Sequence, residues 1–191
     1  MALLPWVCTL GGPLLIIPAD LAALWRGNDP PLDASAALKM APRWTAGGVP
    51  SDYDRACDTL EDVHVEEYEA CGRIPVGEGS ALVLDLESST AGLLWRDGAV
   101  LVRGLECETE EDAKAFLDQV AAWRPTKLRL VIGARGLLAF DAAFPGHEDP
   151  EKIEADYGVL HLALPPGRYR ASCCAIPAER IYLLRFELDS P

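Results

Sequence analysis

Apolar residues along this chain come in short runs broken by Gly, Pro and acidic clusters, a pattern that predicts mostly strands. The first two fall at about 6–10 and 14–17, joined by a Gly11-Gly12-Pro13 turn. Glycine supplies the positive φ of such a turn and proline fixes the exit. After Pro18, the residues Leu21, Leu24 and Trp25 lie at i, i+3, i+4, the stripe of a short helix; Asp20 suits its first turn and Gly27 its stop. Residues 26–50 are rich in Pro, Gly and small side chains and read as a long loop, with Trp44 as its large apolar anchor. Ser51 then caps a helix, with Asp54 in the capping-box position and Tyr53, Ala56, Cys57 and Leu60 on one face.

Two strands follow around Gly77-Glu78-Gly79, and a clear hairpin surrounds Asp97-Gly98, the favoured pair for a two-residue type I′ turn. The strongest helical pattern is 109–123. Thr109 caps it, acidic residues fill its first turn, and Ala113, Phe116, Leu117, Val120 and Ala121 form its apolar stripe, which Pro125 ends. Strands at 127–133 and 136–142 come next, then an acidic loop at 145–158, a hairpin turned by Pro165-Pro166-Gly167, and a last strand at 180–188. Strands outnumber helices, and hairpin turns join neighbours. The expectation is an α+β fold: a mainly antiparallel sheet with two or three helices packed on one side, as a single domain over 1–191.

The opening run raises the question of export, since no charged side chain precedes Asp20. A signal peptide needs a basic n-region and an unbroken apolar stretch, and this run has neither. Pro5, Gly11-Gly12-Pro13 and Pro18 also work against a membrane-spanning helix, so the segment reads as core in a cytoplasmic protein that retains it. Charge narrows the partners. With 17 basic and 30 acidic residues among 191, the chain carries −13 and has a pI near 4.6. Nucleic acid and anionic membrane are disfavoured, because each phosphate contact needs Lys or Arg.

Chemistry is harder to find. The six cysteines (Cys8, Cys57, Cys71, Cys107, Cys173 and Cys174) include no CxxC and no zinc-finger spacing, and Cys57, His64 and Cys71 are too scattered for a metal site. No metal or cofactor is expected. A two-residue turn at Pro166-Gly167 would set His161 opposite Ser172 as base and nucleophile, whereas a three-residue loop would set it opposite Ala171. Neither register places a carboxylate nearby in sequence. The Gly-rich stretches match no phosphate-binding motif. Nothing here argues for an enzyme, and a small-molecule pocket near His161 and Ser172 stands as the alternative to a binding protein. What does stand out is charge clustering. Residues 52–69 hold eight acidic side chains against Arg55 alone, a local net of −7, and 106–118 hold six against Lys114.

One set of motifs carries a resemblance. Trp6 before a short strand, Gly11-Gly12-Pro13-Leu14-Leu15, Pro18, then Trp25-x-Gly27, is followed by Asp52-Tyr53-Asp54-Arg55-Ala56-Cys57 after a variable loop and by "VGEGSALVL" and "LLWRDGAVLVRG". This series resembles the immunity protein 21 family of bacterial polymorphic-toxin systems over about 6–120, with 121–191 as a strand-rich extension of the same domain. The resemblance implies a cytoplasmic protein, not an enzyme, that binds and neutralises a cognate toxin, with a basic nuclease as the toxin that suits the acidic charge. Trp6, Gly11, Gly12, Pro13, Trp25 and Gly27, with Tyr53 and Arg55, are then expected to define the fold. Asp52, Asp54, Glu61, Asp62, Glu66 and Glu67 are the expected contacts to the partner.

Overall fold

The computed structural model describes residues 5–9, 11–30, 50–61, 71–84, 89–104, 109–147, 149–153, 158–176 and 181–189, with Leu60 and Glu61 described in backbone only. Within them lie eleven strands: β1 (Trp6–Val7), β2 (Leu14–Pro18), β3 (Cys71–Val76), β4 (Gly79–Leu84), β5 (Thr90–Trp95), β6 (Gly98–Arg103), β7 (Arg124–Ile132), β8 (Leu137–Asp141), β9 (Leu160–Leu162), β10 (Gly167–Ile176) and β11 (Ile181–Leu188). Two α-helices, α1 (Asp52–Glu61) and α2 (Glu110–Leu117), and two 3₁₀ segments, Ala19–Leu24 and Pro150–Lys152, complete the described elements.

The strands form two antiparallel sheets, one of six in the order β1-β5-β6-β11-β10-β7 and one of five in the order β3-β4-β2-β8-β9. This corrects the α+β expectation of one sheet with helices on one side: the chain is a β-rich two-sheet structure with short helices. Between the sheets, Leu14, Ile16, Leu82 and Leu137 meet Leu101, Leu130, Tyr169 and Phe186 in one buried cluster. The outer face of the five-stranded sheet buries Leu15, Ile17, Val83 and Phe140 against Ala22, Trp25 and Ala56 of the 3₁₀–α1 layer. The outer face of the six-stranded sheet buries Leu93, Val100, Val102 and Leu183 against Ala113 and Leu117 of α2.

Three local features explain why sequence pattern led to a single sheet. First, Gly11-Gly12-Pro13 and Pro165-Pro166-Gly167 are crossings between sheets rather than hairpin turns. They separate β1 from β2 and β9 from β10, and each pair is split between the two sheets. Second, β2 and β8 are buried at every position, because both of their sheet's faces are covered. Such continuous apolar runs lose the alternation that marks an outer face. Third, α2 ends at Leu117 rather than 123, and Arg124 and Pro125 already belong to β7. Ala121 is exposed, while Val120 packs against the outer cluster.

The short elements obey local chemistry. The segment after Pro18 winds as a 3₁₀ helix, so its buried stripe has period three, Ala19, Ala22 and then Trp25, while Leu24 is 48% exposed. The β5–β6 turn is Arg96-Asp97, one residue earlier than expected, and Arg96 takes positive φ, at 54°, alone among the described non-glycine residues. Gly98 is the first residue of β6, paired with Trp95. A Cβ there would stand 1.8 Å from the Phe186 carbonyl oxygen, so close backbone approach, not turn geometry, calls for glycine.

Candidate functional site

The residues of the opening motifs, distant in sequence, converge where the 3₁₀ segment and α1 cover the five-stranded sheet. Ser51 starts α1 with a reciprocal capping box: its Oγ accepts from Asp54 N at 3.1 Å, and Asp54 Oδ2 accepts from Ser51 N and Oγ at 2.8 Å each. Asp52, buried, accepts from Arg26 N at 2.8 Å and pairs with Arg55 Nη1 at 2.5 Å. Arg55 Nη2 donates to the Pro75 carbonyl of β3 at 2.7 Å, tying helix to sheet.

Trp25 lies fully buried beneath this layer, its Nε1 donating to Ala142 O at 2.9 Å. Gly27, at φ 57°, accepts from Tyr53 N, and a Cβ there would stand 2.4 Å from Ala143 O. Gly12 lies directly under the Tyr53 ring; a Cβ there would come 2.7 Å from its hydroxyl. Ala142 N donates to Pro13 O, and Gly146 N to Trp25 O. Trp6, half-buried in β1, packs instead against the outer cluster of the six-stranded sheet. Seven of the eight residues expected to define the fold lie in buried, packed or hydrogen-bonded positions, while Gly11 is exposed and takes positive φ, at 90°.

Electrostatics at this node favour neutral groups. Burial pushes the Tyr53 hydroxyl up to about 12, helped by Cys57 and by the Asp141 and Asp54 carboxylates. Burial likewise raises the Cys57 thiol, with Asp54 and Asp141 adding to the shift and the Tyr53 hydrogen bond opposing it. A thiol held protonated is a poor nucleophile. Asp141, almost fully buried, spends Oδ1 on Ala143 N at 2.9 Å. Pattern reading placed Asp141 in the 136–142 strand but gave it no role, because nothing local in sequence marks a buried carboxylate beside Tyr53 and Cys57.

Of the six expected partner contacts, Asp52 and Asp54 are engaged within the protein as described. The Glu61 side chain and all of Asp62, Glu66 and Glu67 lie outside the described residues, as do His64, Trp44 and Cys107. The proposed base and nucleophile do not meet. His161, on β9, pairs across to Leu138 in the five-stranded sheet; Ser172, on β10, pairs with Arg185 in the other. His161 Nε2 lies 2.9 Å from Arg135 O beside an open cavity of about 390 Å³ lined largely by Ala, Leu and Pro. No group of three or more His, Cys, Asp or Glu suited to a metal ion occurs among the described residues. None of the described helices is long and apolar enough to cross a membrane.

The described site is thus a packing node that fixes a helical layer on a sheet. Comparison with family models identifies the scaffold: residues 5–180 match immunity protein 21, and the chain belongs to that family. The match runs well past residue 120, so most of the C-terminal strands fall within the family's own domain. Comparisons with curated proteins and with solved structures find no match.

Proposed function

We propose that this protein binds a cognate toxin of a polymorphic-toxin system and blocks it in the cytoplasm of the cell that makes it. The observation that carries this reading is membership of the immunity protein 21 family across 5–180. The charge of −13 favours a cationic toxin, such as a nuclease with a basic cleft. Opposite charge steers association toward about 10⁸–10⁹ M⁻¹s⁻¹, fast enough to capture a toxin before it acts. Within the 52–69 run, Asp52 and Asp54 are engaged by Arg26, Arg55 and Ser51, and this reading assigns the draw on the partner to Glu61, Asp62, Glu66 and Glu67.

The test is co-expression with the toxin encoded beside it. Cells carrying both should survive and yield a stable complex on co-purification. Death despite full expression, with no complex at micromolar concentration, would remove this reading.

A further inference from the structure

The outer face of the six-stranded sheet is covered unevenly. Helix α2 and the residues after it lie over β5, β6 and the first half of β11, where Leu93, Val100 and Leu183 are buried. Toward β10 and β7 the same face stands open: Val131 is 73% exposed, and the Arg168 and Arg170 side chains are 70% and 52% exposed. This open part holds a quartet of arginines around two carboxylates. Arg129 and Arg168 both reach Asp189 Oδ2, at 3.4 and 3.9 Å, while Arg170 and Arg185 both reach Glu187 Oε2, at 3.6 and 2.9 Å. Four guanidiniums on two carboxylates leave the cluster net positive on a chain of −13.

The quartet adjoins an aromatic ladder. Arg185 Cζ lies 4.5 Å over the Trp123 ring, Trp123 is 6.1 Å from Trp95, and Arg96 Cζ lies 4.0 Å over Trp95. The Arg185 side chain is 14% exposed and its Nε is buried, so Arg185 forms the covered end of the quartet and Arg168 and Arg170 its open end. Burial and the neighbouring Arg96 and Arg170 disfavour the charge on Arg185, and Glu187 alone opposes them.

We infer that this open face is a docking surface for a protein that presents clustered carboxylates, read by Arg129, Arg168, Arg170 and Arg185 beside the Trp123 ring. A planar carboxylate matches the guanidinium fork in two parallel hydrogen bonds, and Trp and Arg are the residue types that concentrate interface energy. The dimensions favour a compact acidic cluster over a polyanion. Strands about 4.8 Å apart make β11–β10–β7 about 10 Å across, close to the Debye length of about 8 Å at physiological salt. A nucleic acid, with a charge every ~1.7 Å of duplex, would extend past the patch into the field of an acidic molecule. The inference does not rest on the toxin reading, which concerns the acidic run that begins in α1, the helix packed on the outer face of the five-stranded sheet.

The test measures fluorescence anisotropy of a labelled oligoglutamate peptide against the whole protein at low and physiological ionic strength. The variants are R168E/R170E and the milder R168Q/R170Q. Both positions are exposed, so melting curves should overlay that of the parent. Expected is peptide binding that quenches Trp fluorescence and weakens about tenfold or more in R168E/R170E, with R168Q/R170Q between. No binding to the parent at low salt, or equal binding by all three proteins, overturns the inference. So does tighter binding of an oligothymidylate of matched charge, which would give the face to nucleic acid. A parent dimer in sedimentation that R168E/R170E dissolves would give it to a second copy of the chain.

Discussion

At Trp25, volume and one hydrogen bond act together. The indole fills the space between the 3₁₀ segment and Phe140, Ala142 and Ala56, and its Nε1 satisfies the Ala142 carbonyl. Trp25→Ala should cost ~3–5 kcal/mol in denaturant unfolding, as for other buried aromatics. An unchanged midpoint would mean that the site relaxes around the loss. Asp52 is the sharper case, because composition grouped it with the partner-seeking carboxylates. Its buried oxygens hold Arg26 N and Arg55 Nη1, so Asp52→Ala leaves the Arg26 backbone donor without its acceptor and a largely buried guanidinium without its counter-ion, bonded still to the Pro75 carbonyl. Breaking a buried pair typically costs ~3–5 kcal/mol, and part exposure of Arg55 sets the expectation near the lower bound, about 3. A variant with parental stability but slower toxin association would return Asp52 to the interface. Charge alone could not distinguish these roles; the fold does, by placing Arg26 and Pro75 within reach.

Among the elements, those that depend on neighbouring residues were readable and those that depend on distant backbone were not. The Ser51 capping box, the Thr109 cap and the Gly77-Glu78 turn sit where the sequence puts them, since each is complete within a few residues. The turn at Arg96-Asp97 was displaced by one residue, because Gly98 answers to the Phe186 backbone, far along the chain. The two sheet crossings had the composition of turns, and nothing local says which sheet the next strand joins. The motif node was readable as a list of residues but not as one place. Its joints, such as Gly12 beneath Tyr53, form between elements on either side of the 26–50 segment. That joint also has a pH signature. Burial, with Cys57, Asp141 and Asp54, holds the Tyr53 hydroxyl near 12 when folded, against about 10 for a free tyrosine. Below about pH 10 both states keep the proton; between about 10 and about 12 the unfolded chain loses it first, so stability falls as pH rises through that window. Tyr53→Phe should flatten part of this alkaline loss. Among the described residues, Cys57, Cys71, Cys174 and Tyr169, all raised by burial, add to the same loss. Identical alkaline profiles for variant and parent would show that Tyr53 is not shielded as described.

For the whole molecule, the acidic run from 52 to 69 begins with carboxylates that serve the fold. Two carboxylates at the start of α1, Asp52 and Asp54, are committed to an ion pair and a cap, while the acidic run continues in sequence through Glu61, Asp62, Glu66, Glu67 and Glu69. If those later residues steer a basic toxin, reversing Glu61, Asp62, Glu66 and Glu67 to Lys moves the net charge from −13 to −5, two units for each of four residues. On that premise the effect falls on encounter, because charges at an interface rim mainly set on-rates. Association measured by stopped flow should slow by about one to two decades, the span over which on-rates vary among mutants of one interface. Its dependence on ionic strength should flatten as well, since screening acts only on attraction that is present. The survival of cells expressing the toxin with the quadruple variant reports whether the lost speed matters. Parental rates with full protection would move the steering role to the other acidic run, 106–118, where Lys114 is the one opposing charge and Glu110 already pairs with it at 2.7 Å.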